Sequence, residues 1–513
     1  MATKVSKITS NQSGPFNATT NNTVDITLPS YLGMIDPTTT CIVLDIALLN
    51  KTDNSAVGLF DASFNDGLDA RCLLKNVSLS SDKNGIIEQI PAVNILTANM
   101  SQFTRDFEDE NSDLYLGFQS EHQTNSDNSA TDDTAPTTNR LGTFIRRVNN
   151  GTRLSQAKTF LKIPLSSIFG ICKMKQLPLS TIGNLKISLE FEDDTVNVVP
   201  HLFKTLQCAD ITGFADGASV SSVKLPIKNG VPLFVGQNIV LNDGGSLANI
   251  NKVVTSLTTN TDGTVTVSWT GAVAFAGSNA NKISAKASAV ENTNLTYQIN
   301  DVEVEVYQYS LGPNQSNKVK SNMRRGLEMG FTTYALERIN LPNISKDAQY
   351  TRQFDLEPNT INCYGMLIKH FDTQDQSQPL FAVNAGFGDY RWRLDGVDTT
   401  SRSVIPYQSL YNDRLLATMQ NGYTKVKNLR VTAGIDPPNA IVSEAADAAV
   451  KTYLIPTPIP KKDENQTIQL RMLKKNDKKR NGTNAEEPGS IILHMWKQVE
   501  KSIKIRGGGI EVN

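Results

Sequence analysis

Histidine is scarce in this chain of 513 residues, four in all, and that scarcity bears first on catalysis. Chemistry near neutral pH most often uses an imidazole. His122, His201, His370 and His494 stand far apart, with no H-E-x-x-H spacing and no nearby cysteine, so no metal-ligand cluster is visible. The sequence also lacks a G-x-S-x-G elbow, a G-x-x-x-x-G-K-[ST] loop and a G-x-G-x-x-G fingerprint. These absences speak against an enzyme: no catalytic residue, no metal ligand and no cofactor is expected.

Long apolar runs are missing too. No stretch approaches the roughly 20 apolar residues of a membrane helix, and the polar start MATKVSKITSNQSGPFNATTNNT has no hydrophobic block behind Lys4 and Lys7. The expectation is a chain made in the cytosol and not secreted. Cys41, Cys72, Cys172, Cys208 and Cys363 are odd in number, widely spaced and free of any C-x-x-C pair, as reduced thiols are. One-signed charge is absent as well: 50 Lys and Arg against 51 Asp and Glu leave a formal net charge of -1, so no global field draws the chain to nucleic acid or anionic lipid.

What the sequence has in quantity is alternation. Side chains two apart share a face of a strand, so a half-buried strand alternates apolar with polar. Leu185, Ile187, Leu189 and Phe191 fall on one face opposite Lys186, Ser188, Glu190 and Glu192. Val302, Val304 and Val306 repeat the pattern, as do Val265, Val267 and Trp269, and Ile468, Leu470 and Met472. Turn pairs such as Asn84-Gly85, Asp262-Gly263 and Asn481-Gly482 lie between such runs. Helical spacing is confined to Ser409 to Gln420 and Ser443 to Lys451. The fold class is therefore all-β, of the sandwich or barrel kind.

Composition divides the chain. Residues 1–23 read as a polar N-terminal arm, and residues 24–311 as a first sandwich interrupted at about 210–290 by a small Gly/Ala/Ser/Thr-rich β module. A hydrophilic linker follows over 312–323, then a second β-rich unit over 324–505 and a tail over 506–513. The acidic stretch from Asp106 to Arg140 reads as a long surface excursion. Its Asp132-Asp133 pair, and Asp193-Asp194 further on, suit solvated turns rather than paired catalytic carboxylates. The basic runs Lys461-Lys462 and Lys474 to Arg480 are diluted by Asp463, Glu464 and Asp477, and suit hairpin loops more than a nucleic-acid groove. Ile505-Arg506-Gly507-Gly508-Gly509 resembles the consensus of adenoviral-type maturation proteases, with a cut between Gly508 and Gly509; a flexible glycine tail is the plainer alternative.

A series of segments carries a wider resemblance. Tyr297-Gln-Ile-Asn-Asp-Val-Glu-Val closes the first unit. Arg352-Gln-Phe-Asp-Leu-Glu-Pro-Asn-Thr-Ile then precedes Tyr364-Gly-Met-Leu-Ile, and Tyr390-Arg-Trp-Arg-Leu-Asp-Gly-Val leads to Leu410-Tyr-Asn-Asp-Arg-Leu-Leu. With Leu454 to Pro460 (LIPTPIP), Ser490-Ile-Ile-Leu-His-Met-Trp and the module around Phe234-Val-Gly-Gln, the order and spacing resemble the double jelly-roll major capsid proteins of Polinton-like viruses and their adintovirus and virophage relatives.

That resemblance implies two eight-stranded jelly rolls in tandem with a small β insertion in the first. It implies a homotrimer forming a pseudo-hexameric capsomer, and neighbouring capsomers tiling an icosahedral shell around double-stranded DNA. A single jelly-roll penton protein, minor capsid proteins and weak contact with packaged DNA are the further partners it implies. The alternative is a β-rich viral adhesin or carbohydrate-binding protein that forms no shell; a jelly-roll carbohydrate-active enzyme using acidic pairs is the third reading.

Overall fold

The computed structural model describes residues 2–17, 21–50, 54, 56–57, 62–63, 68–83, 85–104, 159–193, 201–202, 208–210, 219–226, 238–242, 250–259, 264–274, 282–285, 295–310, 312, 317, 321, 326–341, 347–369, 380, 382, 387–400, 402–404, 454–474, 491–506 and 509–512. Sixteen of its strands make two sandwiches. In the first these are β1 (Ala2–Thr9), β2 (Thr23–Leu28), β3 (Cys41–Asn50), β4 (Leu74–Ser81), β5 (Gly85–Ile90), β6 (Thr159–Pro164), β7 (Leu185–Phe191) and β8 (Leu295–Ser310). In the second they are β9 (Leu327–Leu341), β10 (Gln349–Leu356), β11 (Thr360–Lys369), β12 (Phe387–Leu394), β13 (Val397–Asp398), β14 (Leu454–Pro458), β15 (Gln466–Lys474) and β16 (Ile491–Arg506).

The pairing within each unit is that of a jelly roll. One sheet of the first unit runs β1-β8-β3-β6 and the other β2-β7-β4-β5. The second unit gives β9-β16-β11-β14 and β10-β15-β12-β13, the same order with eight added to every label. Each of these pairings is antiparallel, and successive strands cross between the two sheets except at the hairpins β4–β5 and β12–β13, which is the double Greek key of eight-stranded jelly rolls.

Register and burial explain why the sequence settles here. Opposite β7, Ile187 meets Ile26 on one side and Leu79 on the other, so three buried aliphatic side chains share the inner face. Lys186 on the other face pairs with Asp25 at 2.9 Å. The inner face of β8 sets Val302 beside Leu44 and Val304 beside Ile42, and those of β15 and β12 set Leu470 beside Trp392. A one-residue slip would turn each of these sets outward, which is what holds the register.

Between β7 and β8 lies a separate six-stranded sheet, in the order Cys208–Asp210, Lys282–Ala285, Asn238–Asn242, Ile250–Thr259, Thr264–Ala274, Ser219–Pro226. Its buried Val254, Val267, Trp269 and Val273 belong to neither of the two large hydrophobic clusters, so the insert carries its own small core.

Two expectations change at the termini. The segment read as an arm over 1–23 contains strand β1, paired with β8 from Ala2 opposite Ser310 to Thr9 opposite Glu303. An edge strand needs little apolar surface, and β1 packs chiefly Ile8 against the core while keeping Lys4 and Lys7 in water. The tail over 506–513 likewise contains a strand, Gly509–Val512, folded back on β16 from Ile503 to Arg506. A helix that the sequence reading did not place, α1 (Val93–Thr104), follows β5. The two expected helices, Ser409 to Gln420 and Ser443 to Lys451, lie outside the described residues.

Candidate assembly surfaces

Antiparallel pairing fixes which connections share an end of each roll. In the first roll the links after β1, β3, β5 and β7 lie at one end, here called the distal end, and those after β2, β4 and β6 lie at the other, the basal end. The strand ends joined by the three longest connections, 51–73, 91–158 and 192–294 with the inserted sheet, are distal, while 29–40, 82–84 and 165–184 are basal. The second roll repeats the asymmetry, with 370–386, 399–453 and 475–490 distal and only 357–359, 395–396 and 459–465 basal. Both chain termini and the link between the rolls are basal, since β1 and β9 start there and β8 and β16 finish there. The inserted sheet thus stands at one end of the first roll.

The two rolls are joined by a buried seam. The outer face of the β9-β16-β11-β14 sheet contributes Tyr364, Met366, Ile368, Leu454 and Trp496 to the same hydrophobic cluster as the first roll's core. The opposite face of that sheet, with Cys363, Leu367, Ile455, Leu493 and Met495, fills the second roll's own core. A sheet apolar on both faces has neighbours on both.

Polar groups fix the seam's alignment. Glu88 of β5, 2% exposed, accepts the amides of Gly170 at 2.9 Å and Ile171 at 3.3 Å, with the Thr333 hydroxyl of β9 beside it. Burial pushes the Glu88 carboxyl above its usual range, against the pull of those two amides. Gly170 packs so close to β9 that an added Cβ would fall 1.7 Å from the Thr332 carbonyl oxygen. On α1, buried Asn99 donates to the Leu380 carbonyl at 2.7 Å and accepts the Ala382 amide at 2.7 Å.

The residues singled out in the sequence fall apart rather than together. His494 is buried on β16 and its titration is pushed down to about 3, first by burial and then by Arg338. His201 opens a two-stranded pairing with Ser63, and His122 and His370 lie outside the described residues. Asp132, Asp133 and Asp194 are also outside them; Asp193 follows β7. Lys461 and Lys462, in a basal loop, pair with Glu500 at 2.7 Å and Asp395 at 3.3 Å. The run from Lys475 to Arg480 lies outside the described residues, within the distal connection after β15. Gly509 begins the strand folded against β16, and Gly508 lies outside the described residues. Among the described residues no group of three or more potential metal ligands occurs, and no helix is long and apolar enough to cross a membrane. What sequence reasoning missed is the seam: Glu88, Asn99 and Gly170 carry no motif, and only a polar residue within an apolar run hints at them.

No protein-family model matches the chain, and no curated protein does. Among solved structures it is similar to VP54 of PBCV-1 as fitted into a reconstruction of the virophage Sputnik, at 10% identity and a TM-score of 0.49, over 100% of this chain and 96% of that one. It is also similar to the mavirus major capsid protein, at 9% identity and a TM-score of 0.46, over 99% and 90%. A structure of the Sputnik virophage itself gives 10% identity and a TM-score of 0.44, over 99% and 88%. The strand order set out above defines the fold by itself: a double jelly roll in a single chain.

Proposed function

We propose that this chain is the major capsid protein of an icosahedral double-stranded DNA virus of the Polinton-like kind, a structural protein and not an enzyme. Three copies close into a pseudo-hexameric capsomer, and capsomers tile the shell of the virion inside the host cell. The observation that carries the reading is the repeated strand order of two rolls locked by an apolar seam, with the inserted sheet at one end. Two similar rolls in a rigid pair give each subunit two near-equivalent positions in a ring, and repetition of a head-to-tail contact closes such a ring. The end that bears the inserted sheet suits the outside of a shell, and the opposite end the inside.

Partners follow from that orientation. Neighbouring capsomers, a single jelly-roll penton protein and minor capsid proteins meet the sides and base. Weak contact with packaged DNA falls to the basal loops, where Lys83, Lys173, Lys175, Lys461 and Lys462 lie. Cleavage between Gly508 and Gly509 would release the last strand from β16; intact mass of the chain from assembled particles tests it, with a product ending at Gly508 in favour and an unclipped chain against.

The experiment for the main reading is native mass spectrometry of the purified full chain, followed by a glycan-array screen. A species at three times the 56.1 kDa chain mass supports the shell protein. A glycan-binding oligomer of another order, which never forms shells, supports the adhesin.

A further inference from the structure

We propose that the exposed edge of strand β1 receives strand β13 of a second copy, with Val5 and Val397 at the centre of the contact. The inference rests on the shell reading, because its partner is another copy of this chain.

The contact that would repeat is already present inside the chain. At the seam, β5 of the first roll lies against β9 of the second, and the segment Ile171–Lys173 lies beside the same strand. In the shared strand order, β5 occupies the fifth position of its roll and β9 the first. The same step taken from the second roll to the first roll of a neighbour therefore joins fifth to first again, β13 to β1. If the step repeats, first and second rolls alternate around a ring without a new kind of contact.

The two strands so paired are unusual in what they expose. Only five large apolar side chains among the described residues are prominently exposed, and they are Val5, Tyr31, Ile86, Val253 and Val397. Val5 lies on β1 at 50% and Val397 on β13 at 71%. Both strands are sheet edges, and no strand among the described residues pairs with their outer sides. Both lie toward the basal end, Val5 as the fourth residue of a strand that starts there and Val397 as the first residue of another.

Charge removes the usual objection to closing such surfaces. Around Val5, Lys7 pairs with Glu303 at 3.0 Å. Around Val397, Asp398 pairs with Arg393 at 3.0 Å and with Arg391 at 3.3 Å. Association would cover these groups as pairs, without stranding an unpaired charge in the interface.

The test uses sedimentation velocity of the full chain over a dilution series, beside its thermal unfolding. Val5→Glu and Val397→Glu are each expected to raise the concentration at which trimer falls apart by tenfold or more, with the monomer's unfolding unchanged. Val253→Glu, an equally exposed valine on the inserted sheet, is expected to leave the trimer intact. Val5→Lys combined with Val397→Glu is expected to regain trimer through an ion pair between copies. Undiminished trimer in both single variants, or a combined variant no better than the singles, overturns the pairing while the shell reading stands. A monomeric wild type overturns both.

Discussion

The side-chain amide of Asn99 takes the place of a strand partner for Leu380 and Ala382, accepting the amide of one and donating to the carbonyl of the other, both at 2.7 Å. Asn99 stands on α1 of the first roll and its partners belong to the second, so a single side chain satisfies backbone groups that the seam has removed from water. Replacing it by leucine keeps the volume and leaves two backbone groups without partners. Asn99→Leu should lower stability by about 2–4 kcal/mol, read as a drop in the denaturant midpoint. A change near zero would mean that water or a neighbouring group supplies both bonds.

Gly170 tests the same seam by shape alone. Its backbone is an ordinary one at φ -65, so alanine brings no backbone strain, but the new methyl would overlap the Thr332 carbonyl. Gly170→Ala should force the rolls apart and cost about 1–3 kcal/mol. Gly330→Ala, on β9 with its nearest such neighbour at 4.0 Å, is the control and should be better tolerated.

The facing of β7 gives a paired test. Ile187 is fully buried between Ile26 and Leu79, whereas Lys186 is half-exposed and paired to Asp25. Ile187→Asp should destabilise the first roll by about 4 kcal/mol or more and abolish soluble trimer. Lys186→Thr removes a surface ion pair worth at most about 1 kcal/mol. Equal effects on soluble yield would refute the facing.

Acid acts on two buried groups with opposite signs. His494 titrates near 3 in the folded chain against 6.5 unfolded, so the unfolded chain alone takes up the proton between those values. Its contribution is complete above pH 6.5 and falls with acidification, by up to roughly 1.4 kcal/mol per pH unit. Glu88 is raised, so above its usual 4.5 the folded chain holds its proton more tightly and acidification favours folding. His494→Leu should therefore lose less stability than wild type between pH 7.5 and pH 5, measured by urea unfolding at both. Parallel losses would remove His494 from the account.

Much of this architecture was legible in the sequence because alternation reports burial directly. The runs through Ile187, Val304 and Leu470 marked strands with their inner faces, and the texture change near Asp210 marked the insert. Strand β1 was not legible, since an edge strand that keeps lysines in water looks like a polar arm. The seam was legible only in part. Tyr364, Met366 and Trp496 stand in apolar runs, but whether a sheet's second face meets water or another roll depends on a contact between residues hundreds of positions apart. Glu88 and Asn99 were invisible for the same reason, because a polar residue between apolar neighbours looks like the solvent face of its element until the partner is in place.

The pairing of two rolls into one tile is tested most directly by electron microscopy of the purified full chain, viewed along the roll axes. Class averages with a near-sixfold outline are expected, bearing three protrusions at one end where the inserted sheets stand. Particles without that outline, or with protrusions at both ends, would contradict it.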